Sequence, residues 1–313
     1  MFESAYFSLE QVGEGVFAAI ARSEESGEMA NAGLIDLGGI VVAFDSFMLP
    51  GSARDLVRAS QELLGRPVGL LVISHCHPDH IRGSCAFPAE TVGITTTRTR
   101  SLIAERDPAG LAQLSRTLPE LLEKTARQYE LAAEGEERRW TGIRLKMYQA
   151  LSRESSPLEA RMPQITFEQG VTLHGSRRHC EVLTPGGGHS PSDTVLYLPA
   201  ERILFCGDLL FNGQHPFIAD GDPDEWRRIL DDLKTWEIET VVPGHGPVGR
   251  KADLLGVRDY LARLEELARE IITRGGSAED AAAAPIPADL AGLRGLRFHA
   301  SLQFMVSRLA AGQ

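Results

Sequence analysis

The stretch VGLLVISHCHPDH, residues 68–80, constrains this chain more than any other. VGLLVIS is a continuous apolar run of strand length, the pattern of a strand buried on both faces. His75, His77, Asp79 and His80 follow it at once. Ligand sites in open α/β sheets gather at the carboxyl ends of strands. Residues two apart in an extended segment face the same way, so His75 and His77 can share one ion. Pro78 turns the chain and aims Asp79 and His80 toward a second. Histidine supplies a neutral ring nitrogen and aspartate a hard anionic oxygen, both ordinary ligands of divalent metals.

Four side chains cannot complete two metal shells, and three more candidates lie downstream. His189 sits in GGGHSPSD after a strand at 179–185, Asp208 in LFCGDLLF at the end of a strand at 202–208, and His245 in VVPGHGP at the end of a strand at 239–246. Each is flanked by glycine, which lets the backbone bend close to an ion.

The remaining pattern frames these ends. Short apolar runs at 15–22, 32–38 and 39–45, broken by glycine, read as hairpin strands. Residues 53–65 read as a helix stopped by Gly65. Further strands are expected at 170–175 and 194–199, the latter in a hairpin with 202–208, and an acid-started helix at 222–236. Between them, 98–163 changes texture and reads as a helical insertion, either packing or a lid over a pocket. Within it Thr117-Leu118-Pro119-Glu120 resembles a capping box that opens a helix, and Trp140, Ile143, Met147 and Leu151 mark a second amphipathic run. The expected organisation is one domain over 1–251 and a helical extension over 252–313 packed on it, with Ser277 capping a short helix.

Composition excludes several classes. The chain of 313 residues has a net charge of −11, which repels phosphate backbones and argues against a nucleic-acid partner. It holds no apolar run of membrane-spanning length and no basic region before an apolar stretch at its start, so a cytoplasmic location off the membrane is expected. The 4 cysteines form no C-x-x-C pair and read as reduced thiols. Cys76 alternates away from His75 and His77 and reads as packing, and Cys206 as core. His174, His179 and His299 read as structural.

The ordered set H-x-H-x-D-H, G-H-S, G-D-x-x-F and P-G-H-G resembles the metallo-β-lactamase superfamily over residues 30–250. The resemblance implies a four-layer αββα sandwich of the α/β (α+β) class. It implies His75, His77 and His189 on one metal, Asp79, His80 and His245 on a second, and Asp208 bridging. Two zinc ions per chain are expected, with iron or manganese as alternatives. Asp79 and Asp208 are the expected catalytic carboxylates. The implied reaction is attack by a bridging hydroxide on an ester, thioester, lactone or β-lactam carbonyl of a small molecule.

Ser190, Ser192 and Asn212 lie near the ligands in sequence and are candidates to orient them or to donate to an oxyanion, and His215 to line the pocket. Phe211 stands where lactonases of acyl-homoserine type usually carry a tyrosine, and GDLLF resembles the glyoxalase II pattern instead. Two alternatives stay open. Persulfide dioxygenases resemble the same pattern and hold one iron, for which His75, His189 and Asp208 would serve; a phosphodiesterase of the same superfamily is the other. The expected partner is a small-molecule substrate, and a homodimer stays open.

Overall fold

The computed structural model describes residues 2–154 and 158–312. Its first sheet has seven strands in the order β1 (Phe7–Gly13), β2 (Val16–Ala21), β3 (Ala32–Asp36), β4 (Val41–Phe44), β5 (Val68–Val72), β6 (Val92–Thr96) and β7 (Ile165–Phe167). The first four pair antiparallel, and β4 to β7 run parallel. The second sheet has five strands, ordered β12 (Thr240–His245), β11 (Ile203–Phe211), β10 (Asp193–Leu198), β9 (His179–Gly186) and β8 (Gly170–His174). The hairpin expected from the turn at 199–201 is β10 against β11.

Three apolar layers bind the architecture. Between the sheets, Val42, Phe44 and Val72 of the first meet Leu196, Phe205 and Val242 of the second. Outside the first sheet, Leu34, Ala43 and Leu71 pack under α2 (Pro50–Leu64) and the start of α4 (Thr97–Leu131). Outside the second, Val195, Leu204 and Cys206 pack under α6 (Pro223–Leu233), α7 (Lys251–Thr273) and α9 (Phe298–Ala311). The result is the expected four-layer αββα sandwich. The helices after residue 251 share the outer core of the second sheet. Ser277 caps α8 (Ala278–Ala282) through a capping box with Asp280.

The segment between β6 and β7 holds two helices, α4 and α5 (Glu136–Arg153); residues 155–157 of the expected insertion lie outside the described residues. The helix start expected at Thr117 is not there. One helix runs from a cap at Thr96, whose hydroxyl accepts from Thr99 N–H, through Pro108 and Pro119 to Leu131. Proline removes a bond to the carbonyl four residues earlier. Here those carbonyls belong to Ala104 and Ser115, both exposed residues, where solvent lies close at hand. The short α1 (Ser23–Ser26) packs against α5 so closely that a Cβ on Gly27 would meet the Met147 nitrogen at 2.2 Å.

Strands β1, β6 and β7 escape the sequence reading. β1 is an edge strand whose Glu10 and Gln11 break the apolar pattern, and β6 begins in the half-buried Val92 and Gly93.

Candidate metal centre

The site lies where strands of both sheets end. β5 delivers His75 and His77, and α3 (Pro78–Ile81) opens at Pro78 and carries Asp79 and His80. Proline suits the first turn of a helix because its missing N–H would be unpaired there anyway. The loop after β9 carries His189, β11 carries Asp208, and β12 ends on His245. At Asp208 the register between β11 and β12 slips on both sides of Gly207, which has φ of 52°. The neighbouring backbone comes so close that a Cβ on Gly244 would lie 1.9 Å from Asp208 Oδ1. Only glycine fits there.

Seven side chains fall into two groups, each with its donor atoms within 4.8 Å of one another: His75, His77, His189 and Asp208; and Asp79, His80 and His245. In the first, His77 Nδ1 lies 3.0 Å from both His75 Nε2 and His189 Nε2, and Asp208 Oδ2 lies 3.2 Å from His189 Nε2. In the second, Asp79 Oδ2 lies 3.5 Å from His245 Nε2. Asp208 faces both groups, with Oδ2 3.3 Å from His245 Nε2 and Oδ1 3.1 Å from His80 Nε2.

The partners of the outward ring nitrogens fix the tautomers. A histidine's outer hydrogen bond decides which nitrogen faces inward bare. His189 Nδ1–H donates to the Phe217 carbonyl at 3.0 Å and His245 Nδ1–H to the Met29 carbonyl at 2.9 Å. His80 Nδ1–H donates to Asp45 at 2.8 Å, and His77 Nε2–H to Asp220 at 3.0 Å. Ser74 spends its hydroxyl proton on Asp45, so it accepts from His75 Nδ1–H at 2.9 Å. All five rings therefore turn their other nitrogen inward, free to bind a proton or a metal. His77 Nδ1 lies 3.0 Å from two other such nitrogens, a repulsive arrangement unless a proton or a cation sits among them. His80 Nε2, His245 Nε2 and Asp208 Oδ1 are also buried without a hydrogen-bond partner, which is costly unless something binds them. The donor set of nitrogens and carboxylate oxygens suits a divalent metal such as zinc.

The electrostatics agree. Burial and the facing His80 and His77 hold His75 well below its usual range, and burial brings His189 down to about 3. Burial also opposes charge on His80, but Asp208, Asp45 and Asp79 outweigh it and hold that ring well above its usual value. The carboxylates around His80 demand positive charge at Nε2, which a proton or a metal ion satisfies. Burial raises Asp208 and Asp79, yet the surrounding imidazoles overcome it and keep both carboxylates ionised.

The other expected residues take varied places. Ser190 donates to Asp193 Oδ1 at 2.7 Å, and Ser192 pairs with Thr96 Oγ1 at 2.7 Å. Both hydroxyls are spent on shaping the loop that carries His189. Asn212 donates to the Pro247 carbonyl at 3.0 Å, bracing the loop after His245. His215 lines a cavity with His245, its Nδ1 facing Tyr260 at 3.2 Å. Cys76 packs in the core outside the first sheet, and burial pushes its thiol up to about 11. His174 and His179 are cross-strand partners away from the centre, and His299 bonds the Ala284 carbonyl.

The sequence reading missed Asp45, Asp220 and Arg106. Asp45 accepts from Ser74 N–H at 2.7 Å as well as from Ser74 and His80 side chains, and adopts φ of 61° to do so. Asp220 is gripped by Arg106 of α4 at 2.7 Å, which ties the insertion to His77. Asp45 had one signal, its place at the end of the apolar run GIVVAFD beside β5; Asp220 and Arg106 had none.

The family model of the metallo-beta-lactamase superfamily matches residues 26–245, and the chain belongs to that superfamily. It is 26% identical over 239 residues to the 2,4-dinitroanisole O-demethylase subunit alpha of Nocardioides sp. (strain JS1661), an alignment covering 74% of this chain and 53% of that protein. This chain thus spans about half the length of that relative. Among solved structures, a metallo-beta-lactamase from Pontibacter korlensis superposes with a TM-score of 0.60 at 19% identity, over 82% of this chain and 99% of that one. A stereoselective inverting sec-alkylsulfatase from Pseudomonas sp. gives a TM-score of 0.65 at 16% identity, over 96% of this chain and 50% of its own. These likenesses confirm the fold. No helix among the described residues is long and apolar enough to cross a membrane.

Proposed function

We propose that this protein is a dinuclear metal-dependent hydrolase of small molecules. His75, His77 and His189 hold one ion, Asp79, His80 and His245 the other, and Asp208 faces both. Two zinc ions are the favoured occupants. The observation that carries this reading is the set of five imidazoles, each fixed by an outer acceptor so that its bare nitrogen points inward. Paired divalent ions in such a cradle activate water near neutral pH and polarise the oxygen of the bond to be cleaved. The chain's own part is positional. Asp45, Asp220 and the Met29 and Phe217 carbonyls orient the rings, and the ionised Asp79, with its side chain 20% exposed, is the carboxylate that can take the proton of the attacking water and relay it to a leaving group.

Ester, thioester, lactone and β-lactam carbonyls are the first substrate classes. A second reading, cleavage of an aryl methyl ether or a sulfate ester, draws support from the similarity to a protein named for O-demethylation of 2,4-dinitroanisole and the fold shared with an alkylsulfatase. A panel of these bonds, run on protein of measured metal content, tests both. Turnover with about two zinc ions per chain supports the proposal. One iron with thiol-dependent oxygen uptake, as in a persulfide dioxygenase, overturns it, and phosphodiester turnover alone would move the substrate class.

A further inference from the structure

A cavity of about 240 Å³ opens beside His245. Besides Met29 and His245, its walls come from three elements. α5 supplies Trp140 and Arg144, the loop after β11 supplies His215, and the segment before α9 supplies Leu296 and Arg297. The walls are fastened deliberately. Glu136 of α5 accepts from both Trp140 Nε1–H at 2.9 Å and Gly295 N–H at 3.0 Å. His215 N–H donates to the Arg294 carbonyl, and Arg294 N–H to the Gly213 carbonyl. Gly295 lies beside the Trp140 ring and adopts φ of 101°, a backbone conformation that favours glycine.

Two guanidinium groups line this cavity, and neither forms an ion pair or a side-chain hydrogen bond among the described residues. Arg297 stands 5.5 Å from the Phe211 ring and 5.6 Å from the Phe217 ring. Phe211 stacks on His245 at 4.8 Å, and Phe217 lies edge-on to His77 at 5.9 Å. Arg297 is thus placed over rings that touch ligands of both groups. His215 is 2% exposed, and its Nε2 is buried without a partner. Unspent donors around an apolar face mark a binding pocket rather than a structural seam. The chain as a whole is acidic, so two unpaired arginines here define a local exception to its field.

We propose that this cavity is the substrate pocket and that it selects small organic monoanions. A flat apolar body rests on Trp140 and Leu296, while Arg144 and Arg297 grip a carboxylate or a group of similar charge and shape. Arg297 lies beyond the matched family region 26–245, and Arg144 lies within it on the helical insertion. The inference rests on the hydrolase reading for the meaning of the site, but binding tests it separately.

Titration calorimetry on the metal-loaded protein with benzoate and with its neutral isostere benzamide decides it. Benzoate is expected to bind about tenfold tighter or more. Arg144→Gln and Arg297→Gln should each erode that preference and the double variant abolish it, with metal content unchanged and Arg297→Lys restoring part of it. A preference that survives the double variant means the metals alone hold the carboxylate, and overturns the proposal; so does equal binding of the two probes. Arg144 is exposed, so its variant serves if Arg297→Gln fails to fold. A preserved contrast without turnover on any bond of the panel would sink the hydrolase reading alone, and turnover without the contrast would sink the anion pocket alone.

Discussion

Asp208, on the floor of the site, is 4% exposed and faces both groups of ligands. Arg297, on the wall beside it, is half-buried and rests on two aromatic rings. The floor is made of strand ends locked by the hydrogen bonds of two sheets, and every ring on it has a fixed outer partner. The wall is made of an insertion and a C-terminal segment joined by a few bonds through Glu136 and the Gln214–Arg294 bridge. The difference separates two jobs. Metal geometry tolerates little error and is built into the core, whereas substrate choice is built into parts that can change without disturbing it.

Substitutions on the floor should break this contrast most severely. Asp208→Ala or His77→Ala is expected to abolish hydrolysis and strip metal while the chain stays folded, as elemental analysis and circular dichroism would show; full activity in either variant refutes the centre. Asp45→Ala removes the acceptor of three hydrogen bonds and frees the His80 ring, so metal affinity should fall about 10–100-fold. A competitive chelator titration measures this, and an unchanged affinity would mean that His80 needs no outer partner. Asp220→Asn and Arg106→Ala loosen only His77 at a half-exposed pair, so a loss of at most about tenfold in affinity is expected. Glu136→Ala unfastens the wall. It should raise KM with metal content unchanged and lower stability by about 1 kcal/mol or less. Metal loss in that variant would show that floor and wall are one unit.

Legibility in the sequence follows the same division. The seven inward side chains were readable because strand ends bring them together, and a strand that ends in HCHPDH shows itself through alternation and glycine. Most apolar strands of both sheets were readable for the same reason, while β1, at an edge and broken by Glu10, and the short β6 and β7 were not. Pro119 misled because proline favours a first turn, where its missing N–H would be unpaired anyway, yet here it sits exposed inside the long helix α4. Asp220, Arg106 and Arg297 could not be read, because their roles depend on contacts across 143, 114 and comparable spans of chain. No local pattern encodes such a contact.

Asn31 stitches the two sheets beside the second group of ligands. Its amide donates to the Pro243 and Gly246 carbonyls, and its N–H to the Gly244 carbonyl. Each ligand group likewise draws on both sheets, so a growing chain that has left the ribosome only as far as β7 displays His75, His77, Asp79 and His80 with no complementary half. A metal held by either group would need donors from both sheets, so the complete cradle exists only once β12 has closed against Asn31.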